Sequence, residues 1–119
     1  MCVKPISALS FRAGKIELDA IRKAELSNYD SIKLLAKQNF CDILIEKKCN
    51  EKFTPDYNVF MIIARRKWIK PNYIYSSEAA SVHKNTPIED VANKIYEATV
   101  RAACEAKEKT LELAKTFIR

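Results

Sequence analysis

Thr86-Pro87-Ile88-Glu89 opens the longest uninterrupted helical pattern in the chain. Threonine followed three residues later by glutamate is a capping box, and proline suits the first helical position. The residues Ile88, Ala92, Ile95, Thr99, Ala102, Ala106, Leu113 and Phe117 then recur at the spacing of one helix face. Glu97–Arg101 and Glu105–Lys109 stand four apart and predict ion pairs along the same helix. Running to about Ile118, such a helix is roughly 48 Å long at 1.5 Å per residue. A compact domain of 119 residues has a radius of gyration of only about 13–14 Å. The helix must therefore form a layer along the body and overhang it, and the overhang is expected to meet a partner, pack in a homo-oligomer or fray.

The rest of the chain must supply what that helix covers. Phe40–Lys48 reads as a strand, with Cys41, Ile43 and Ile45 on one face. Tyr57–Ile69 opens with β-branched and aromatic residues. It also admits a helix, capped by Thr54 with Pro55 at its first position and Tyr57, Phe60, Met61, Ala64 and Trp68 on one face. The short continuous apolar run favours the strand. Asn72–Ser77 then predicts the next strand, after a turn at Pro71. Upstream, Val3–Phe11 reads as a short edge strand containing Pro5, and Gly14 as a turn. Asp19 is a candidate cap for a helix through about Gln38, although Asn28 interrupts its stripe and admits two helices split near Ser27–Asn28. The expected fold is a single α+β domain over residues 1–119: a mainly antiparallel sheet of three to four strands, packed by two helices.

Composition removes whole classes of function. Gly14 is the single glycine, so no glycine-rich phosphate loop of the Walker, dinucleotide or kinase type can be built. Cys2, Cys41, Cys49 and Cys104 contain no C-x-x-C pair and are joined by one histidine, His83, which argues against zinc or another metal. Nothing in the sequence calls for a cofactor. Cys41, Cys49 and His83 are the only material for a thiol enzyme, and nothing in their spacing brings them together, so a non-enzyme is expected. Glu89 and Asp90 are accounted for by the start of the long helix. No secretory leader is visible and the longest wholly apolar run, Val59–Ala64, is too short to span a bilayer. An intracellular, cytoplasmic, reduced protein is the expectation.

The net charge of +6 favours anionic partners. It is concentrated in "ARRKWIKPNYIY", where Arg65, Arg66, Lys67 and Lys70 fall in six residues beside Trp68, Tyr73 and Tyr75. Such a run suits phosphates, and a strand end running into solvent accounts for it as well. In a strand Arg65 and Lys67 share one face, and Arg66 shares the other with Trp68. Trp68 is better placed in a core than under a base. Tyr73 and Tyr75 share a face, either packing across strands or offering a stacking platform. Ala98, Ala102, Ala103 and Ala106 would admit close approach of a second helix or of a sheet.

Taken together, the order β-α-β-β-β-α, the basic surface and the long last helix resemble the small ribosome hibernation-promoting factors, whose topology is related to double-stranded RNA-binding domains. The local likeness is best over "FRAGKIELDAIRKAEL", where Ile16-Glu17-Leu18 fits the family's apolar–acidic–apolar triplet and Arg22 its helix-opening arginine. "YIYSSEAAS" is similar to the family's last strand. The stretch "HKNTPIEDV" departs from the family, which has a tyrosine before its last helix. The resemblance implies occupancy of the small ribosomal subunit, with helix cations on rRNA phosphates and inhibition of translation. Arg22 is carried over on that ground. Lys23, Lys33, Lys37, Lys94, Arg101 and Lys107 are candidates from charge and helix position. The expected function is non-catalytic RNA or ribosome binding. The rival is a protein-interaction or inhibitor module assembled through the long helix.

Overall fold

The computed structural model describes residues 14–48, 55–67 and 73–118. Its elements in order are β1 (Ile16–Asp19), a single 3-10 turn (Lys23–Glu25), α1 (Tyr29–Gln38), β2 (Asp42–Lys48), β3 (Tyr57–Lys67), β4 (Tyr73–His83) and α2 (Ile88–Ile118). The strands form one sheet in the order β1-β2-β3-β4. β1 runs parallel to β2, which requires the crossover through α1, and the other two pairings are antiparallel. The fold is α+β with a mostly antiparallel sheet, as the sequence predicts. The expected strand at 3–11 lies outside the described residues, as do Cys2, Cys49, Trp68 and Lys70.

Strand periodicity sets the layers. Ile43 and Ile45 of β2, Phe60, Ile62 and Ala64 of β3, and Ala80 and Val82 of β4 are buried in one core. Ile32 and Ala36 of α1 and Ile95, Ala98, Ala102, Ala103 and Ala106 of α2 complete it. Both helices thus cover the same sheet face. The opposite face presents Leu44, Val59, Met61 and Ile63, all half-buried, with the exposed rings of Tyr57, Tyr73 and Tyr75. Among the described residues no helix covers it.

Three expectations are corrected. No helix begins at Asp19, because Ile16–Asp19 pairs with β2 and Ala20 takes φ 62°. α1 starts only after Asn28, whose Nδ2 donates to the Ala92 carbonyl at 2.9 Å and ties the helix start to α2. The strand expected at 72–77 continues to His83; Ser76, Ala80 and Val82 are buried in alternation, but serine and alanine conceal that period in the sequence. The ion pairs expected along α2 do not form either. Arg101 meets Glu78 at 3.0 Å, Glu105 accepts from the Ser76 hydroxyl at 3.1 Å, and Lys109 Nζ donates to the Tyr75 carbonyl at 2.9 Å. These side chains fasten α2 to β4 instead. The strand reading of 57–69 holds for β3, which is hydrogen-bonded on both sides, to β2 and to β4.

The α2 stripe is buried from Ala92 to Ala106, whereas Ile88 and Leu113 at its ends are 51% and 39% exposed. The alanines let the helix backbone lie close to the sheet. At 31 residues the helix is roughly 46 Å long, which matches the 48 Å long axis of the molecule. The radius of gyration, 16.0 Å, exceeds that of a compact body of this length.

Candidate nucleic-acid interface

β3 carries its basic residues to one end of the molecule. Arg65 and Lys67 point to the open sheet face and Arg66 to the helix side, the alternation that a strand imposes. Arg65 lies opposite Asp42 and Tyr75 in the two ladders. Its Nη2 is 3.3 Å from Asp42 Oδ2, and its guanidinium rests 4.6 Å over the Tyr73 ring. Partial burial is the largest single influence on Arg65 and works against its charge, but the hydrogen bond and charge of Asp42 together with Tyr73 and Tyr75 outweigh it and raise the pKa. Arg66 is half-buried near Cys41. Burial pushes the Cys41 thiol up to about 11, although the Arg66 charge pulls the other way. Lys67 is exposed and forms no ion pair among the described residues.

Other cations are brought to the same end. Glu105 and Lys109 bond to Ser76 and Tyr75, so exposed Lys107, between them on α2, is level with Arg65. Lys37 packs against Gly14, whose N–H donates to the Cys41 carbonyl at 2.7 Å. Gly14 has φ 97°, and a Cβ there would run into Lys37 Cγ. Lys15 stands on the neighbouring edge, 3.0 Å from Glu17, and that contact lowers the Glu17 pKa.

The remaining sequence candidates do not join this group. Arg22 lies in the β1–α1 connection, its side chain 87% exposed and 3.4 Å from Glu25. Lys23 sits 4.6 Å over the Tyr29 ring. Glu25 feels the charge of Lys47, which pairs with Phe60 in the ladder. Five residues of strand separate Phe60 from Arg65, roughly 16 Å. Arg101 is engaged by Glu78 midway along β4, Lys94 lies two residues past the α1 contact at Ala92, and Lys33 is on the outer side of α1. Arg22, Arg65 and Arg101 are therefore all paired with carboxylates, while Arg66, Lys67 and Lys107 show no ion pair among the described residues.

Aromatic groups mark the same end. Tyr73 and Tyr75 are 37% and 54% exposed, with ring centroids 6.2 Å apart and a tilt of 52°. Phe40, between α1 and β2, is 64% exposed and held at φ 55°. Sequence reasoning missed Phe40, Lys15 and Asp42 as neighbours of the basic run. Asp42 is 23 residues from Arg65, and only the strand register brings them together. For Phe40 the one available signal is a missing glycine at a helix end.

Among the described residues no cluster of His, Cys, Asp and Glu has the makings of a metal site, and no helix is long and apolar enough to cross a membrane. No family model, no curated protein and no solved structure matches the chain.

Proposed function

We propose that this protein is a non-catalytic RNA-binding protein that holds its ligand at the end of the molecule formed by the close of β3 and the later turns of α2. The observation that carries this reading is exposed Lys67, without an ion-pair partner among the described residues, on the same sheet face as the exposed rings of Tyr73 and Tyr75, with Arg66 on the helix side of the same strand end and Lys107 on the outer side of α2. Phosphates supply most of the affinity, and the aromatic surfaces add contacts to bases. Arg22, carried over by the family resemblance, and Lys23, a candidate from charge and helix position, lie away from this end. The small ribosomal subunit in the cytoplasm, with inhibition of translation, is the target which that resemblance implies. Titration of a labelled RNA over a range of salt tests the reading. Binding that weakens steeply with salt is expected, with a slope reduced by about 1 to 2 in the double variant Arg66→Ala/Lys67→Ala. Salt-independent binding, or an unchanged slope in the variant, overturns it. Failure to co-sediment with small subunits at moderate salt removes the ribosome as the target.

One observation favours a second reading, a homo-oligomeric interaction module. Leu111 and Leu113 on the last turns of α2 are 53% and 39% exposed, beyond the point where the buried stripe ends. That reading expects a dimer or larger assembly which becomes monomeric when the chain is cut after Lys109. A monomer across micromolar concentrations excludes it.

A further inference from the structure

The open sheet face contains a hollow of about 180 Å³ between the β1–β2 edge and Tyr75. Its charged walls are already matched: Lys15 with Glu17 at 3.0 Å, and Arg65 with Asp42 at 3.3 Å. A phosphate would therefore find little net charge in it. What the hollow offers is a mixture, with N–H donors on Lys15 and Arg65 and carboxylate acceptors on Glu17 and Asp42, over an apolar floor of Leu44 and Ile63. Nucleobase edges carry donors and acceptors side by side and are read by such a mixture. Arg65 already covers the Tyr73 ring at 4.6 Å, and the 52° tilt keeps Tyr73 from stacking on Tyr75. Tyr75, 54% exposed, is the ring at the rim of the hollow on which no aromatic among the described residues stacks.

We infer that the open face seats one unpaired nucleobase of a single strand, stacked on Tyr75 with its edge toward Arg65 and Asp42. The strand continues past Lys67, which follows on the same face, toward the end already assigned to phosphates. This rests on the RNA-binding reading and narrows it. A base in a duplex is stacked between its neighbours and cannot reach the ring, so the ligand is a loop, a bulge or an unpaired end.

Three probes of one length decide the matter: a single-stranded RNA, the duplex of the same sequence and an abasic strand with the same number of phosphates. Each is titrated against the wild type, Tyr75→Ala and Tyr75→Phe. The single strand is expected to bind the wild type about tenfold more tightly than the abasic strand, a stacking contribution of about 1.4 kcal/mol. Tyr75→Ala abolishes that difference without changing the salt dependence, and Tyr75→Phe retains it. Equal, salt-sensitive binding of single strand and abasic strand overturns the base site and leaves the phosphate reading standing. Preference for the duplex does the same. No binding of any probe overturns both. Tyr75 is 54% exposed, and a thermal melt of each variant matching the wild type separates lost binding from lost folding.

Discussion

Phe40 is an expensive choice at the end of α1. Its backbone occupies the left-handed region, the Cys41 N–H reaches back to the Ala36 carbonyl at 2.9 Å, and the side chain is left 64% exposed. Glycine is the usual residue there, because a Cβ in that conformation costs about 1–2 kcal/mol. Part of that gain is lost to the freer unfolded chain. Phe40→Gly should therefore raise stability by up to about 1 kcal/mol, measured by urea unfolding; a clear loss would mean that the ring packs more than its exposure indicates. The adjacent Cys41 is fully buried, and its thiol is raised from an ordinary 9.0 to about 11. The folded state keeps this proton after the unfolded state has lost it. The stability it contributes is complete below about pH 9 and disappears as the pH climbs through about 11. Unfolding free energy should fall across that window by roughly 1–3 kcal/mol more in the wild type than in Cys41→Ala. Equal slopes would remove Cys41 as the cause. The alternation of Arg65 and Arg66 between faces is legible in the sequence, since it needs only a period of two. The capture of Arg65 by Asp42 is not, since it depends on the β2–β3 register.

At the scale of elements, legibility followed the strength of the local pattern. α2 announces itself through its proline and about eight turns of apolar spacing, and β2 through the alternating isoleucines Ile43 and Ile45. β3 was ambiguous because Tyr57, Phe60, Met61 and Ala64 suit a helix face as well as a strand; hydrogen bonding to two neighbours splits them between opposite sides of the sheet. β1 leaves little signal, and its last residue, Asp19, reads as a helix cap, because the strand is only four residues long and is stabilised by a parallel partner that lies far along the chain. The charged residues of α2 misled for a related reason. A helix surface offers i,i+4 partners, but β4 offers Arg101, Glu105 and Lys109 partners at contact distance on an element already packed there. Glu105 and Glu78 meet at this seam: the neighbouring carboxyl raises the Glu105 pKa, and hydrogen bonding to Glu105 and Arg101 lowers that of Glu78. The close approach of α2 to the sheet rests on alanine. Ala102 is fully buried, and Ala102→Leu should cost about 1–3 kcal/mol by forcing the layers apart. A variant as stable as the wild type would show that the layers can part without loss.

The whole molecule divides its tasks by end and by face. One sheet face is sealed by helices; the other, uncovered among the described residues, presents apolar rows, tyrosines and matched charges. Arg66, Lys67 and Lys107 lie towards the end where β3 and the later turns of α2 come together, while Lys23, Lys47 and Lys84, which also show no ion pair among the described residues, lie towards the other. The sequence disclosed the basic run but not this partition, because partition is a property of the register and not of the composition. The connectivity also has a kinetic consequence. β2, β3 and β4 follow one another as antiparallel neighbours, and α2 folds back directly onto β3 and β4. That block is held by long ladders, seven residue pairs between β2 and β3 and eleven between β3 and β4. Among the described residues β1 joins along one edge, through four residues and a crossover. Loop closure for such a parallel pair comes late and is easily undone. In native-state hydrogen exchange, the β1–β2 amides should open at a free energy well below that of the β3 amides. Detachment of β1 would dismantle the Lys15–Glu17 wall of the hollow while the block behind it stayed folded, so the rim has its own opening clock, faster than that of the protein that carries it.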